Sequence, residues 1–262
     1  MADLQKTADG TLVKRMSFVP TNDTTGTDDI AENEVRLPRL AIAQGLSSQI
    51  TPDSSDYIKG LSLFELFNDL TGTIYHRGPL KFVPIKRVVR RIEFDPDNRG
   101  VPIDMDVPFN DPRCQWTENE QTGEREAPRA TKFTEFVIFL IFDDKKPEPI
   151  VLSIKDTNKW NRKAAERLTA LIKIRPPIYS TYFTVESKSE KNDSGTFGVY
   201  AIKQLMALDD PEQTDAEWER SSNIYALAKQ FRESLEGKNI VVEREAPKED
   251  DADSFDVDDL EK

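Results

Sequence analysis

The chain has 262 residues, a formal net charge of −12 and 37% hydrophobic residues, enough apolar content to bury a sizeable core in one domain with tails. Its single cysteine, Cys114, excludes an internal disulfide, and a single histidine, His76, beside it excludes an ordinary zinc knuckle. The longest purely apolar run, Phe136 to Phe142, is far short of the ~20 residues that cross a bilayer, so no membrane association is expected.

The acidity sits at the ends. Met1 to Glu34 holds seven acids and three bases, and Glu249 to Lys262 holds eight acids and one lysine, which leaves a near-neutral body between two acidic segments. Residues 1–34 are polar and without a sustained period, and are expected to form a disordered arm. One ordered domain is expected over residues 35–242, followed by a disordered acidic tail over 243–262.

Within that domain, Val35 to Ser47 reads as an extended segment with Pro38 and Gly45 as punctuation, and Leu61 to Leu70 as either a short helix or a strand. Leu80 to Phe94 (LKFVPIKRVVRRIEF) is a strand whose polar positions are nearly all basic. Residues 95–130 form a long proline-rich connection, and connections of that length are functional or disordered. Phe133 to Phe142 (FTEFVIFLIF) and Ile150 to Ile154 (IVLSI) read as buried strands. From Asn158 to Ile174 the period changes. Trp160, Ala164, Leu168, Leu171 and Ile172 fall on one helical face, with cap oxygens at Asp156, Thr157 and Asn158 and a stop at Pro176-Pro177. Ile178 to Glu186 and Thr196 to Ala207 are two further strands. A second helix is expected over Pro211 to Glu236, with Pro211 in its first turn and Gly237 as its stop, before an edge strand at Ile240 to Val242.

The fold class is therefore mainly β with helices (α+β). The order β, β, β, α, β, β is that of the OB-fold, so the expectation is an OB-like five-stranded barrel with an inserted helix and an added C-terminal helix. Leu37-Pro38-Arg39-Leu40 followed by Gln44-Gly45-Leu46-Ser47 resembles the start of phage-encoded replication or accessory proteins. The tail (EDDADSFDVDDLEK) resembles those of bacterial and phage single-stranded DNA-binding proteins, although it closes on Leu260-Glu261-Lys262 rather than on phenylalanine. That resemblance implies that Phe255, Asp256, Asp258, Asp259 and Leu260 dock replication or recombination proteins. It also implies the host cytoplasm as the compartment, in keeping with the lack of an apolar N-terminal export segment.

The remaining chemistry is basic residues among aromatic ones. The run Lys81, Lys86, Arg87, Arg90 and Arg91 gathers five cations on one strand, an arrangement that phosphates would neutralise with release of counterions. Lys155 and Lys159 begin a second basic stretch. Trp116, Tyr182 and Tyr200 are the rings on which unpaired bases would stack. With no phosphate loop and no nucleophile beside a histidine, neither an enzyme nor a cofactor is expected, a nuclease built from scattered carboxylates being a third possibility. The expected function is non-sequence-specific single-stranded DNA binding in phage replication or recombination. The alternative is an acidic protein-interaction factor, a DNA mimic or inhibitor of a host DNA-binding protein.

Overall fold

The computed structural model describes residues 4–6, 12–14, 34–96, 101–119, 122–192 and 195–242. The rest of the acidic arm, and the tail with Phe255, Asp256, Asp258, Asp259 and Leu260, lie outside the described residues. The chain divides into two compact units, Met1–Glu34 and Val35–Lys262. In the first, β1 (Leu4–Lys6) and β2 (Leu12–Lys14) pair antiparallel with Gln5 opposite Val13.

The elements that follow are β3 (Glu34–Leu37), β4 (Arg39–Ile42), β5 (Leu66–Asn68), β6 (Ile74–His76), β7 (Leu80–Phe94) and β8 (Pro102–Asp104). After these come β9 (Thr117–Glu118), β10 (Arg125–Glu126), β11 (Ala130–Ile141), β12 (Glu148–Lys155) and α1 (Lys159–Ile174). β13 (Thr181–Asn192), β14 (Gly195–Ala207), α2 (Asp215–Ser234) and β15 (Asn239–Val242) complete the order. Among the described residues the molecule is mainly β with two α-helices. Among the described residues, no helix is long and apolar enough to cross a membrane.

Nine strands form one curled, mixed sheet in the order β14-β13-β7-β11-β12-β4-β5-β6, with β8 paired to the end of β7. The β12 to β4 pairing is parallel and the other pairings in that sheet are antiparallel. After β12 the chain passes through α1, and β13 returns beside β7 rather than beside β12. That is the Greek-key arrangement, with the fourth strand lying next to the first.

The unbroken apolar run of β11 has a direct structural cause: both of its faces are buried. On the inner face, Phe136, Ile138 and Leu140 pack with Phe82, Leu152, Ile154 and Phe183, closed by Ala164, Ala165 and Leu168 of α1. On the outer face, Val137, Phe139 and Ile141 pack with Val83, Ile85 and Val151 under Ile224 and Ala228 of α2, its C-cap Leu235 and Ile240 of β15. Each fully buried ring, such as Phe82, Phe136 or Phe183, contributes about 1.5–3 kcal/mol relative to exposure.

The sheet curls until β14 meets β4. The Tyr200 hydroxyl donates to the Leu40 carbonyl at 2.8 Å, while Gln44 accepts from Gly198 N at 2.8 Å and donates to Gly198 O at 3.1 Å. Gly198 permits that approach, since a Cβ there would lie 2.5 Å from Ile42 Cγ2.

Local signals account for most boundaries. Asn158 caps α1 by accepting from Asn161 N at 2.8 Å, and the helix ends before Pro176. α2 starts later than Pro211, because Thr214 and Glu217 form a reciprocal capping box. Leu61 to Leu70 contains the short strand β5 and no helix.

Candidate nucleic-acid interface

The run of five cations on β7 is divided by the pleat. Opposite β11, the register shifts between Val137, which faces Lys86, and Ile138, which faces Pro84, leaving Ile85 as the extra residue of a bulge. A proline fits there, because it has no N–H to contribute to the ladder. Beyond the bulge, Lys86, Val88 and Arg90 turn toward α2 and β15, while Arg87 turns toward α1.

The α2-side cations have internal partners. Lys86 Nζ donates to the Leu235 carbonyl at 3.1 Å at the end of α2, and burial, ahead of nearby Arg232 and Arg90, lowers its pKa. Lys81 Nζ lies 3.8 Å from the Tyr182 ring centroid, and burial is again the first cause of its lowered pKa. Arg90 Nε donates to Glu135 Oε2 at 3.1 Å, and its Nη2 donates to the Ile240 carbonyl. Glu135 is only 2% exposed, so Arg90 neutralises a buried carboxylate. Tyr182 and Tyr200, expected as exposed stacking rings, are 2% and 9% exposed. Their hydroxyls bond Ser221 and Leu40, so burial of the ring and satisfaction of its oxygen assign both to the core.

On the α1 side a different set converges. A cleft of about 240 Å³ is lined by Arg87, Lys132, Arg162 and Lys173 with Asp156 and Glu166. Arg87 Nε donates to Thr169 Oγ1 at 3.2 Å, and Asp156 holds Arg162 at 2.6 Å and Lys132 at 3.6 Å. One acid positions two cations without neutralising the group. A second cleft, of about 430 Å³, opens at the start of α1 and is lined by Arg39, Phe133, Lys155, Asn158, Phe197 and Tyr200. The two clefts share Asn161.

Phe133, Phe197 and Tyr200 line the second cleft, and further rings lie against its cations. Lys155 Nζ lies 5.1 Å from the Phe94 centroid, Lys159 Nζ lies 4.5 Å from that of Trp160, and Trp160 meets Phe197 edge-on at 5.4 Å. Trp160, read from its helical position as core, is only partly buried and packs edge-on against Phe197 of β14. The start of α1, with Asn158 and Asn161 lining the cleft, adds the positive end of the helix dipole.

The long connection is ordered where it is described. Arg113 donates to Asp111, to Glu93 at 2.6 Å and to Asp104 at 3.0 Å, and Arg129 meets Glu93 at 3.1 Å. Those hydrogen bonds, Asp111 first, raise the Arg113 pKa and lower that of Asp111 to about 2. Arg113 is therefore a structural clamp. Trp116 is exposed with Arg125 4.7 Å from its ring centroid, and Arg91 stands 4.9 Å from the centroid of Phe109.

The family model described as "Pam3 phage gp34-like protein" matches residues 8–241, a span that holds both clefts and the clamped connection. The chain belongs to this phage protein family. Comparison with curated proteins and with solved structures finds no match. The family match reaches β15 and stops short of the acidic tail.

Of the residues read from sequence, the fold gathers Arg87, Lys155, Lys159 and buried Tyr200 around α1, leaves Arg91 and Trp116 on the connection side, and turns Lys81, Lys86, Arg90 and Tyr182 toward α2. Sequence reading did not single out Arg39, Lys132 and Phe197, and took in Arg162 and Lys173 only as part of the basic stretch that begins at Lys155. Strand alternation could have found Lys132, which lies directly opposite Arg91.

Proposed function

We propose that the chain is a non-sequence-specific single-stranded DNA-binding protein built on an OB-like barrel. The observation that carries this reading is the pair of clefts sharing Asn161, whose cations stand beside the partly exposed rings of Phe197 and Trp160 at the start of α1. Single strands require that mixture, because phosphates need cations and unpaired bases need ring faces.

The strand order β14-β13-β7-β11-β12 with α1 between β12 and β13 supports the barrel, and β4, standing between β12 and β14, is a departure from a five-stranded closure. OB-folds bind along the face of their second and third strands, here β11 and β12. Much of that face lies beneath α2 and β15. Its open end, Phe133, Ser153 and Lys155, lines the second cleft, which supports a strand path at the α1 end.

The test is titration of fluorescent oligo-dT, duplex DNA and RNA at several salt concentrations. Oligo-dT should bind more tightly than duplex, with a log-log salt slope near −0.7 per phosphate neutralised. Tighter duplex binding would overturn the reading, and no nucleic-acid binding at any salt would favour an acidic protein-interaction factor.

A further inference from the structure

Phe109 is 76% exposed, yet the backbone that carries it is pinned on both sides. Before it, Val107 is buried and donates its amide to the Arg91 carbonyl at 2.8 Å. After it, Asp111 donates its amide to the Pro108 carbonyl at 3.0 Å and is tied through Arg113 to Glu93 and Asp104. An isolated exposed ring is ordinary on a protein surface. A ring held on a clamped segment with a guanidinium 4.9 Å from its centroid is a prepared platform.

That guanidinium leads back to the candidate interface. Arg91 Nε is buried without a hydrogen-bond acceptor among the described residues. Across the β7 and β11 pairing, Arg91 lies opposite Lys132, and Lys132 lines the first cleft with Arg162 and Arg87. The cations Arg162, Lys132 and Arg91 therefore form a row whose last member backs the Phe109 ring.

We propose that Phe109, backed by Arg91, is a nucleobase-stacking subsite at the end of the cationic cleft. The proposal rests on the single-strand reading and deepens it by adding a base contact outside the barrel. A base on the open face of the ring completes a sandwich of base, phenyl and guanidinium, while the adjoining phosphate faces Lys132. The subsite selects unpaired bases, since a paired base offers no free face.

Full-length wild-type, Phe109→Ala and Phe109→Trp proteins would be titrated with fluorescein-labelled oligo-dT and with an abasic oligonucleotide of equal length. Phe109→Ala should weaken oligo-dT binding by about 5- to 150-fold, with its salt slope unchanged because no phosphate contact is lost. It should leave binding to the abasic strand unaltered, and Phe109→Trp should retain affinity with its added indole emission quenched by oligo-dT. Because the ring is exposed, equal melting temperatures will show that folding is intact. Oligo-dT affinity in Phe109→Ala equal to wild type, or an equal loss on the abasic strand, would overturn the subsite while leaving the single-strand reading in place. Failure of the wild-type protein to bind oligo-dT would overturn both.

Discussion

Replacing Arg90 by methionine should destabilise the protein, while the same replacement at Arg87 should spare stability and weaken DNA binding. Arg90 faces Glu135, a carboxylate 2% exposed, at 3.1 Å and also bonds the Ile240 carbonyl. Breaking one side of such a buried pair costs about 3–5 kcal/mol, a large part of the roughly 5–15 kcal/mol that holds a domain folded. At about 2–4 °C per kcal/mol for a domain of this size, the melting temperature should fall by roughly 6–20 °C. Arg87 is exposed and, among the described residues, bonds only Thr169 at 3.2 Å, so Arg87→Met should change stability by no more than about 0.5 kcal/mol. Losing one phosphate contact should instead flatten the salt slope by about 0.7, equivalent to about fivefold in affinity at 0.1 M relative to 1 M salt. Calorimetry, urea titration and oligo-dT anisotropy on both variants measure these quantities. Adding Glu135→Gln to Arg90→Met should recover part of the lost stability, because the orphaned charge is gone. An Arg90→Met protein that melts like wild type but binds oligo-dT poorly would refute this assignment of the two faces.

Gly198→Ala should destabilise by about 1–3 kcal/mol, as the added Cβ meets Ile42 Cγ2 at 2.5 Å where β14 crosses β4, and a urea midpoint equal to wild type would show that the contact yields freely. Asp111 has its pKa lowered to about 2 by its hydrogen bonds with Arg113. A depressed carboxylate contributes stability that is complete above its unfolded value of about 3.9 and is lost as pH falls through the folded value, so the connection should loosen between about pH 4 and pH 2. Trp116 emission can follow this step, and a transition complete above pH 4 would assign it to other groups.

Much of the architecture was legible along the chain, because the signals that set it are local. The run Phe133 to Phe142 demanded a strand buried on both sides, Asn158 and Pro176 bounded α1, and Leu80 to Phe94 read as one long strand. Tertiary structure decided which way the basic residues face. A one-residue bulge at Ile85 and the covering of the outer sheet by α2 divide the five β7 cations between two surfaces, and neither follows from periodicity when both neighbours are unknown. The same holds for the clefts. Lys132, Arg162 and Lys173 are ordinary solvated positions in sequence, and they converge only because α1 packs on β12 and β14 within reach of Lys132 on β11. The physical reason is range: capping, proline stops and apolar runs act over a few residues. A cationic cleft is instead a sum over strands and a helix whose register is settled by burying Phe136 and Leu168 in one core.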